Sequence, residues 1–471
     1  MKKHFFCTLR SRFFPAANDR PALSLRSVRP AAVPFIAGWV IVFTWLSCSF
    51  LPAASVLFAV GAPTGWQRAS AWAWLVACPL LALLADGSFY VPKTLYSVLA
   101  ALACYALQLA LPAAAPPAQV ALALCAGHIF VSCGFGFFLV LNNAEKFCAM
   151  LLAVFASRAA LAATSGLTAA GPLLARTLPG VCLGALLVCA VFFRRSRLQM
   201  APMVSTSFPK RAWSLMAVVF VMFTLCDVVA PLMLVRLQTP GRVEQLWYFA
   251  GACTGLALVL GLQQGLRLSL ARMLDLAMAL LAAGFVCGLT AARVPAGAAA
   301  AAACFGAAYG TGMVNVYYLA GLLTKKLQSL PFYRAGIVLS SLCYLCGFAL
   351  VRLFSSAPEV LCAVCIFAVL AFFVFSPLLL RLLYSREWLD DACRADVTFE
   401  SRLRTRLRER GLSPKECEVC EHLLQGFTLR QTAAMMKVAY PTANTYCTAL
   451  YRKLNINSRT ELTLLFRDFL D

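Results

Sequence analysis

The sequence predicts an all-α protein in two parts: a bundle of twelve transmembrane helices in two six-helix halves, and a small four-helix unit at the C-terminal end. Three observations predict it. The 471 residues are 62% hydrophobic and 13% charged, where soluble domains are nearer half apolar and a quarter charged. Apolar runs of about 20 residues, the length that spans a bilayer as a helix, recur as far as Leu383. Beyond Leu383 the chain turns polar and its apolar residues follow short, capped helical patterns. A bilayer cannot solvate bare backbone, so each long run is expected to be helix.

The spans are expected to centre near Val42, Val76, Cys104, Phe130, Ala153, Leu186, Val219, Gly255, Leu281, Ala308, Leu342 and Val369. Residues 1–30 read as a basic cytoplasmic tail with Lys2, Lys3, Arg10, Arg12, Arg20, Arg26 and Arg29. The run from Ala31 to about Phe58 is too long for a cleaved signal peptide, so it is expected to be the first span. Of the formal net charge of +22, most belongs to residues 1–380, which hold 26 Lys/Arg against 7 Asp/Glu. The excess therefore speaks of membrane topology rather than of nucleic acid. With the N-terminus inside, the even loops carry Lys93, Lys146, Arg194, Arg195, Arg197, Lys210, Arg211, Arg267, Arg272, Lys325, Lys326 and Arg334. The odd loops carry only Arg68, Arg176, Arg236, Arg242, Arg293 and Arg352. That asymmetry follows the positive-inside rule and returns the C-terminus to the cytoplasm.

The sixth loop, Arg194 to Arg211, is the longest and most basic internal one and divides the spans six and six. This layout over residues 31–384 resembles the major facilitator superfamily of transporters. That family carries G-x-x-x-D-R/K-x-G-R/K-R/K between its second and third helices. Here the matching stretch keeps Asp86 and a later Lys93 but lacks the basic cluster. The resemblance implies the fold more than the transport activity.

Residues 385–411 read as a solvated linker, with Arg402, Arg404, Arg406, Arg408 and Arg410 on alternate positions. Residues 412–471 read as four helices. Ser413-Pro414-Lys415-Glu416 is a capping box with proline at the first helical position, Leu412 is the staple before it, and Gly426 is the expected stop after Gln425. Thr428 is expected to cap a second helix with Thr432, Ala433 and Met436. A turn at Lys437-Val438-Ala439 leads to a third helix, Tyr440 to Leu454, and a fourth runs from Ser458 to about Phe469. The second and third form a helix-turn-helix, a scaffold helix that fixes another against the DNA major groove. Ala443, Leu450 and Leu454 face inward, which leaves Asn444, Thr445 and Thr448 toward base edges. Arg430, Thr442, Arg452 and Lys453 are placed for phosphate.

This region resembles the LuxR/GerE family of DNA-binding domains. Leu412-Ser413-Pro414-Lys415-Glu416-Cys417-Glu418-Val419 follows its opening pattern, and Gln425-Gly426, Thr432-Ala433, Lys453-Leu454 and Ser458-Arg459-Thr460-Glu461 follow at the right spacing. The recognition helix departs from the pattern: the usual T-V-K-x-H is Thr442-Ala443-Asn444-Thr445-Tyr446, and Ala439 replaces the capping serine. The resemblance implies binding to double-stranded DNA as a homodimer through the last helix. The apolar stripe available for that is Leu462, Leu465, Phe466 and Phe469.

Within the spans, Arg158, Asp227, Asp275, His128 and Asn315 are the costly polar groups, beside Tyr309, Tyr317 and Tyr318. Asp227 and Asn315 are the candidate ligand-site residues. Asp275 and Arg158 also fit helix ends, and His128 and Asn315 fit interhelical hydrogen bonds. The 21 cysteines are scattered through apolar runs. The CxxC spacings at Cys343–Cys346, Cys362–Cys365 and Cys417–Cys420 lack a second pair or histidine cluster, so structural thiols are expected and no metal. No catalytic residue set and no cofactor motif is present, so no enzyme is expected. The whole reads as a one-component transcription regulator of the bacterial inner membrane. It would sense an unknown small-molecule signal within the bilayer and bind promoter DNA. The alternative is a facilitator-like transporter with a regulatory tail.

Topology is directly testable. Reporter fusions after Leu383 and within residues 198–208 should report cytoplasm, and fusions near Pro63 and Pro240 should report the outside. A cytoplasmic Pro240 would contradict the twelve-span arrangement.

Overall fold

The computed structural model describes residues 28–49, 65–84, 87–164, 171–195, 212–236, 243–266, 268–291, 294–327, 330–379, 407, 410–424, 427–436 and 438–466. Several expectations fall outside these residues: the basic tail before residue 28, Asp86, the sixth loop after Arg195, the linker before Leu407, Gln425-Gly426, Lys437 and Phe469. The described chain is helical, and it divides into two compact units, residues 1–392 and 393–471.

Among its described residues the first unit has twelve long helices. They are α1 (Val33–Ser49), α2 (Gly65–Leu84), α3 (Gly87–Ala110), α4 (Ala115–Phe135), α5 (Asn143–Thr164) and α6 (Gly171–Arg195). Then come α7 (Ala212–Phe223), α8 (Val243–Leu258), α9 (Leu270–Thr290), α10 (Pro295–Leu327), α11 (Leu330–Leu353) and α12 (Pro358–Leu379). Each expected centre lies in its own helix. Eleven are long and apolar enough to cross a membrane, and α2 contributes the shorter apolar run Ala69–Leu84. Three helices continue as wider π-helical turns: α4 over Gly136–Val140, α7 over Thr224–Val229 and on to Arg236, and α8 over Val259–Gly265. Phe367, Val374, Leu173 and Val181 are 66–74% exposed. Such an apolar exterior suits lipid and not water.

The helix pairs that pack together repeat between the halves. In the first half α2 packs on α4, α3 on α4 and α6, and α1 on α5 and α6. In the second, α8 packs on α10, α9 on α10 and α12, and α7 on α11 and α12. Adding six to each helix number maps one set onto the other, so the halves are two copies of one six-helix arrangement. The halves meet where α5 packs on α8 and α10, and where α2 packs on α11. The α8–α10 seam is built from small residues. A Cβ on Gly251 or Gly255 would run into the carbonyls of Ala303 or Ala307, and one on Gly306 into that of Tyr248. Hydrocarbon gives helices no hydrophobic reason to associate, so such backbone approach carries the packing.

One topological expectation is corrected. Lys146, assigned to a cytoplasmic loop, is fully buried within α5. Its ammonium donates to the Gly321 carbonyl of α10 at 3.1 Å, where the absence of a side chain leaves room for the lysine stem. Beside it, Glu145 is buried and takes hydrogen bonds from the Arg29 backbone and guanidinium at 2.7–2.9 Å. This ties the entry to α1 onto the start of α5.

The second unit holds α13 (Pro414–Leu424), α14 (Leu429–Met435), α15 (Tyr440–Leu454) and α16 (Arg459–Leu465). Its own core gathers Val419, Cys420, Leu423, Leu450, Leu454, Leu462 and Phe466, and extends back to Leu407. The capping box before α13 forms both bonds, Ser413 N to Glu416 Oε2 at 2.6 Å and Glu416 N to Ser413 Oγ at 3.4 Å. A second box, Thr428 with Gln431, starts α14. Asn455 ends α15 in the left-handed conformation (φ 55°), which Asn tolerates better than most residues.

Candidate functional site

In the C-terminal unit, α14 and α15 are joined by a turn that the Val438 N–H closes on the Ala433 carbonyl at 3.0 Å. Thr432 and Ala433 are buried, so α14 lies close against α15. Along α15, Ala443, Cys447, Leu450 and Leu454 are buried, a spacing of one helical face. Asn444, Thr445, Thr448 and Arg452 are exposed on the other, and Thr442 and Arg430 are exposed nearby in sequence. The structure thus gives α15 the outward polar face that the sequence predicts. Ala439 stands at its N-cap without a side-chain bond, and Pro at the second helical position replaces one N–H that would need a partner.

Local bonds refine the chemistry of this face. Thr445 Oγ1 donates to the Pro441 carbonyl at 3.0 Å and Thr448 Oγ1 to the Asn444 carbonyl at 2.9 Å. Their hydroxyl protons are thereby used, which leaves a methyl group and acceptor lone pairs outward. Asn444 keeps an amide that both donates and accepts, the group suited to an adenine edge. Lys453 is half engaged. Its ammonium lies 2.7 Å from Glu416 Oε2 with 36% of its side chain exposed, so it holds α15 onto α13 while still reaching the surface. Burial opposes ionisation of Glu416, but hydrogen bonds from Lys453 and Ser413 outweigh it and hold the carboxyl below the usual glutamate range. Arg459 adds a second tie, donating to the Leu423 carbonyl at 2.8 Å. Of the expected apolar stripe on α16, Leu462 and Phe466 are core and Leu465 is 39% exposed. Cys420 and Cys447 are buried, and burial pushes the Cys420 thiol up to about 12, so it stays protonated at neutral pH.

In the membrane unit, a polar cluster lies where the halves meet. Arg158 of α5 is 7% exposed and donates from Nη2 to the Tyr309 hydroxyl of α10 at 2.8 Å. Its guanidinium also sits 5.5 Å from the ring centre of Tyr248 on α8. Asp227 lies in the π-helical turn of α7 and accepts from the Tyr344 hydroxyl of α11. The sequence singled out Arg158, Asp227 and Tyr309 but missed Tyr248 and Tyr344. Asn315 is buried on α10, where its amide donates to the Thr311 carbonyl of its own helix. It lines neither of the two described cavities between the halves, whereas Asp227 lines one of them. His128 bonds Ser97 of α3 at 2.9 Å, an interhelical link. Asp275, near the start of α9, pairs with Arg272 at 3.8 Å, a helix-end position. Among the described residues no three metal-binding side chains cluster.

The Glu416–Lys453 pair yields a stability prediction for residues 393–471. Glu416→Gln should cost about 1–3 kcal/mol in denaturant unfolding, since one partner of the pair is partly exposed. A carboxyl held below its unfolded value adds stability that is complete above the usual glutamate range and disappears as pH falls through the lowered value. The variant should therefore lose less stability on acidification than the parent. An unchanged acid dependence would show the pair to be energetically silent.

Residues 410–466 match the family described as bacterial regulatory proteins, luxR family. No curated protein matches the chain. Among solved structures, the chain is similar to an auto-inhibited POT family peptide transporter, at 13% identity and a TM-score of 0.46, over 74% of this chain and 96% of that one. It is also similar to the human organic anion transporter MFSD10 (TETRAN), at 15% identity and a TM-score of 0.49, over 77% of this chain and all of the other. The C-terminal unit is a LuxR-type helix-turn-helix DNA-binding domain, carried by a chain whose other unit is a bundle of membrane-spanning helices.

Proposed function

We propose that this chain is a membrane-bound one-component transcription regulator. Its membrane unit senses a small molecule, and its C-terminal domain binds promoter DNA sequence-specifically. The observation that carries the reading is the exposed polar face of α15, set on a LuxR-type domain in a chain with twelve apolar helices. Asn444, Thr445 and Thr448 read bases, and Arg430, Thr442, Arg452 and Lys453 contact phosphate. Two copies pair on DNA through α16, for which exposed Leu465 is the available apolar side chain. The distribution of Lys and Arg supports a bacterial inner-membrane protein with both termini in the cytoplasm.

In the membrane unit Asp227 is the principal ligand-site residue. Asn315, whose buried Oδ1 has no hydrogen-bond partner, is the second. A ligand acts only through different affinities for two states of the membrane unit. The polar cluster between the halves is the element most exposed to such a change, because it joins helices of both.

The DNA reading is tested by selection from a random duplex library with the full chain in lipid nanodiscs. One motif should emerge, bound less tightly as salt rises, through counterion release. Asn444→Ala should cost about 1–3 kcal/mol of discrimination at one or two positions. Arg452→Ala should weaken all sequences alike and lower the salt slope by roughly one. Arg452 is a cleaner phosphate probe than Lys453, which also holds α15 to α13. Recovery of no motif by a folded chain would overturn the reading.

A further inference from the structure

Asp227 lines a small cavity of about 30 Å³ between the halves, walled by Phe43, Trp74, Tyr317 and Tyr344 among others. A second cavity of about 60 Å³ adjoins it and shares Phe130, Phe223, Tyr317 and Ser340. Apart from Tyr333, Ser340, Tyr317 and Thr324 its walls are apolar. The residues come from α1, α2, α4, α7, α10 and α11, so the space belongs to both halves.

Three features define what fits there. The first is an unsatisfied acceptor. Oδ2 of Asp227 takes the Tyr344 hydroxyl, while Oδ1 is buried without a hydrogen-bond partner. A buried carboxylate oxygen gains most from an N–H donor that itself carries charge. The second is the ring array. Trp74 and Phe223 lie 5.7 and 6.1 Å from Tyr344, and Phe223 lies 5.6 Å from Tyr317. Aromatic faces stabilise a cation that has left water. The third is the position of the fixed cation. Arg158 directs its hydrogen bond to Tyr309 and not to the carboxylate, and it is absent from the cavity wall. It offsets the charge of Asp227 from a distance, and the Tyr309 hydroxyl that it holds also interacts with that carboxyl.

We propose that the Asp227 cavity binds a small organic monocation, whose ammonium donates to Asp227 Oδ1 and whose apolar body enters the adjoining cavity. This rests on the reading that the membrane unit senses a small molecule, and it names the class of that molecule. The cavities are well below the roughly 150 Å³ that holds a benzene ring, so their size limits the ligand to a short-chain alkylammonium. Asp227 supplies the charge preference, the rings favour a cation over an anion, and the small, mostly apolar second cavity favours a short alkyl body over a polyamine.

The test uses the purified full chain in lipid nanodiscs without DNA. Binding of n-propylammonium, neutral 1-propanol and anionic butanoate is measured by calorimetry. The ammonium should bind at least about tenfold more tightly than either analogue, the size of one charge-assisted hydrogen bond. Asp227→Asn should bring ammonium and alcohol to within about twofold of each other. Ser340→Phe, which fills the wall shared by both cavities and leaves the carboxylate in place, should abolish binding of both. It decides the matter if Asp227→Asn fails to fold. No ammonium binding, equal binding of the three compounds, or wild-type selectivity in either folded variant overturns the proposal. Because no DNA is present, that failure is distinct from a failure of promoter recognition, which the library selection reads.

Discussion

A guanidinium placed among membrane helices must find partners, because leaving it in hydrocarbon costs on the order of 3 kcal/mol even on lenient scales. Among the described residues Arg158 finds its hydrogen bond and its ring contacts across the division of the molecule. Its hydrogen bond goes to Tyr309 of α10 and its flat face approaches Tyr248 of α8, both in the second six-helix half, while Arg158 itself belongs to the first. The same strip of α5 and α10 carries Phe147 against Tyr318, with ring centres 5.5 Å apart, and Lys146 on the Gly321 carbonyl. The residue pairs run in opposite directions along the two helices, an antiparallel seam with a cation at each end. Satisfying these two charges holds one half against the other.

The rest of the membrane unit serves this placement. Tyr248 and Tyr309 meet Arg158 because α8 and α10 lie close, which glycines and alanines permit. Thr311 of α10 donates to the Gly255 carbonyl across the same seam at 3.4 Å. On the other side, the π-helical turn of α7 inserts extra backbone at Asp227 and brings the carboxyl to Tyr344. Wide turns of this kind are frequent at functional sites. On the proposed function, a ligand that engages Asp227 competes with or reinforces the bonds that hold α7 and α11, and so acts on the contacts between halves.

The parts that could be read from the sequence are those set by local rules. Helix existence followed from run length in a solvent that cannot hydrate backbone, and the twelve centres fall in twelve helices. Capping chemistry placed the starts of α13 and α14, and the buried spacing of Ala443, Leu450 and Leu454 fixed which side of α15 faces out. What could not be read is long-range. Arg158 and Tyr309 are 151 residues apart, and Asp227 and Tyr344 are 117 apart. No periodicity links either pair. Lysine at a span edge is usually solvated, whereas here the Lys146 ammonium donates a hydrogen bond to a glycine carbonyl 175 residues away. Spacing points Lys453 toward phosphate, and the ion pair with Glu416, 37 residues distant, adds a structural duty that spacing alone does not reveal.

The central claim is that one chain couples a membrane-embedded unit to recognition of particular DNA. The most direct measurement is a genome-wide cross-linking map of the intact, membrane-inserted protein in bacterial cells. The account predicts a small set of sharp sites that share one sequence motif and disappear when Asn444 is replaced by alanine. A map indistinguishable from that of an untagged control, obtained with protein present in the membrane, would contradict it.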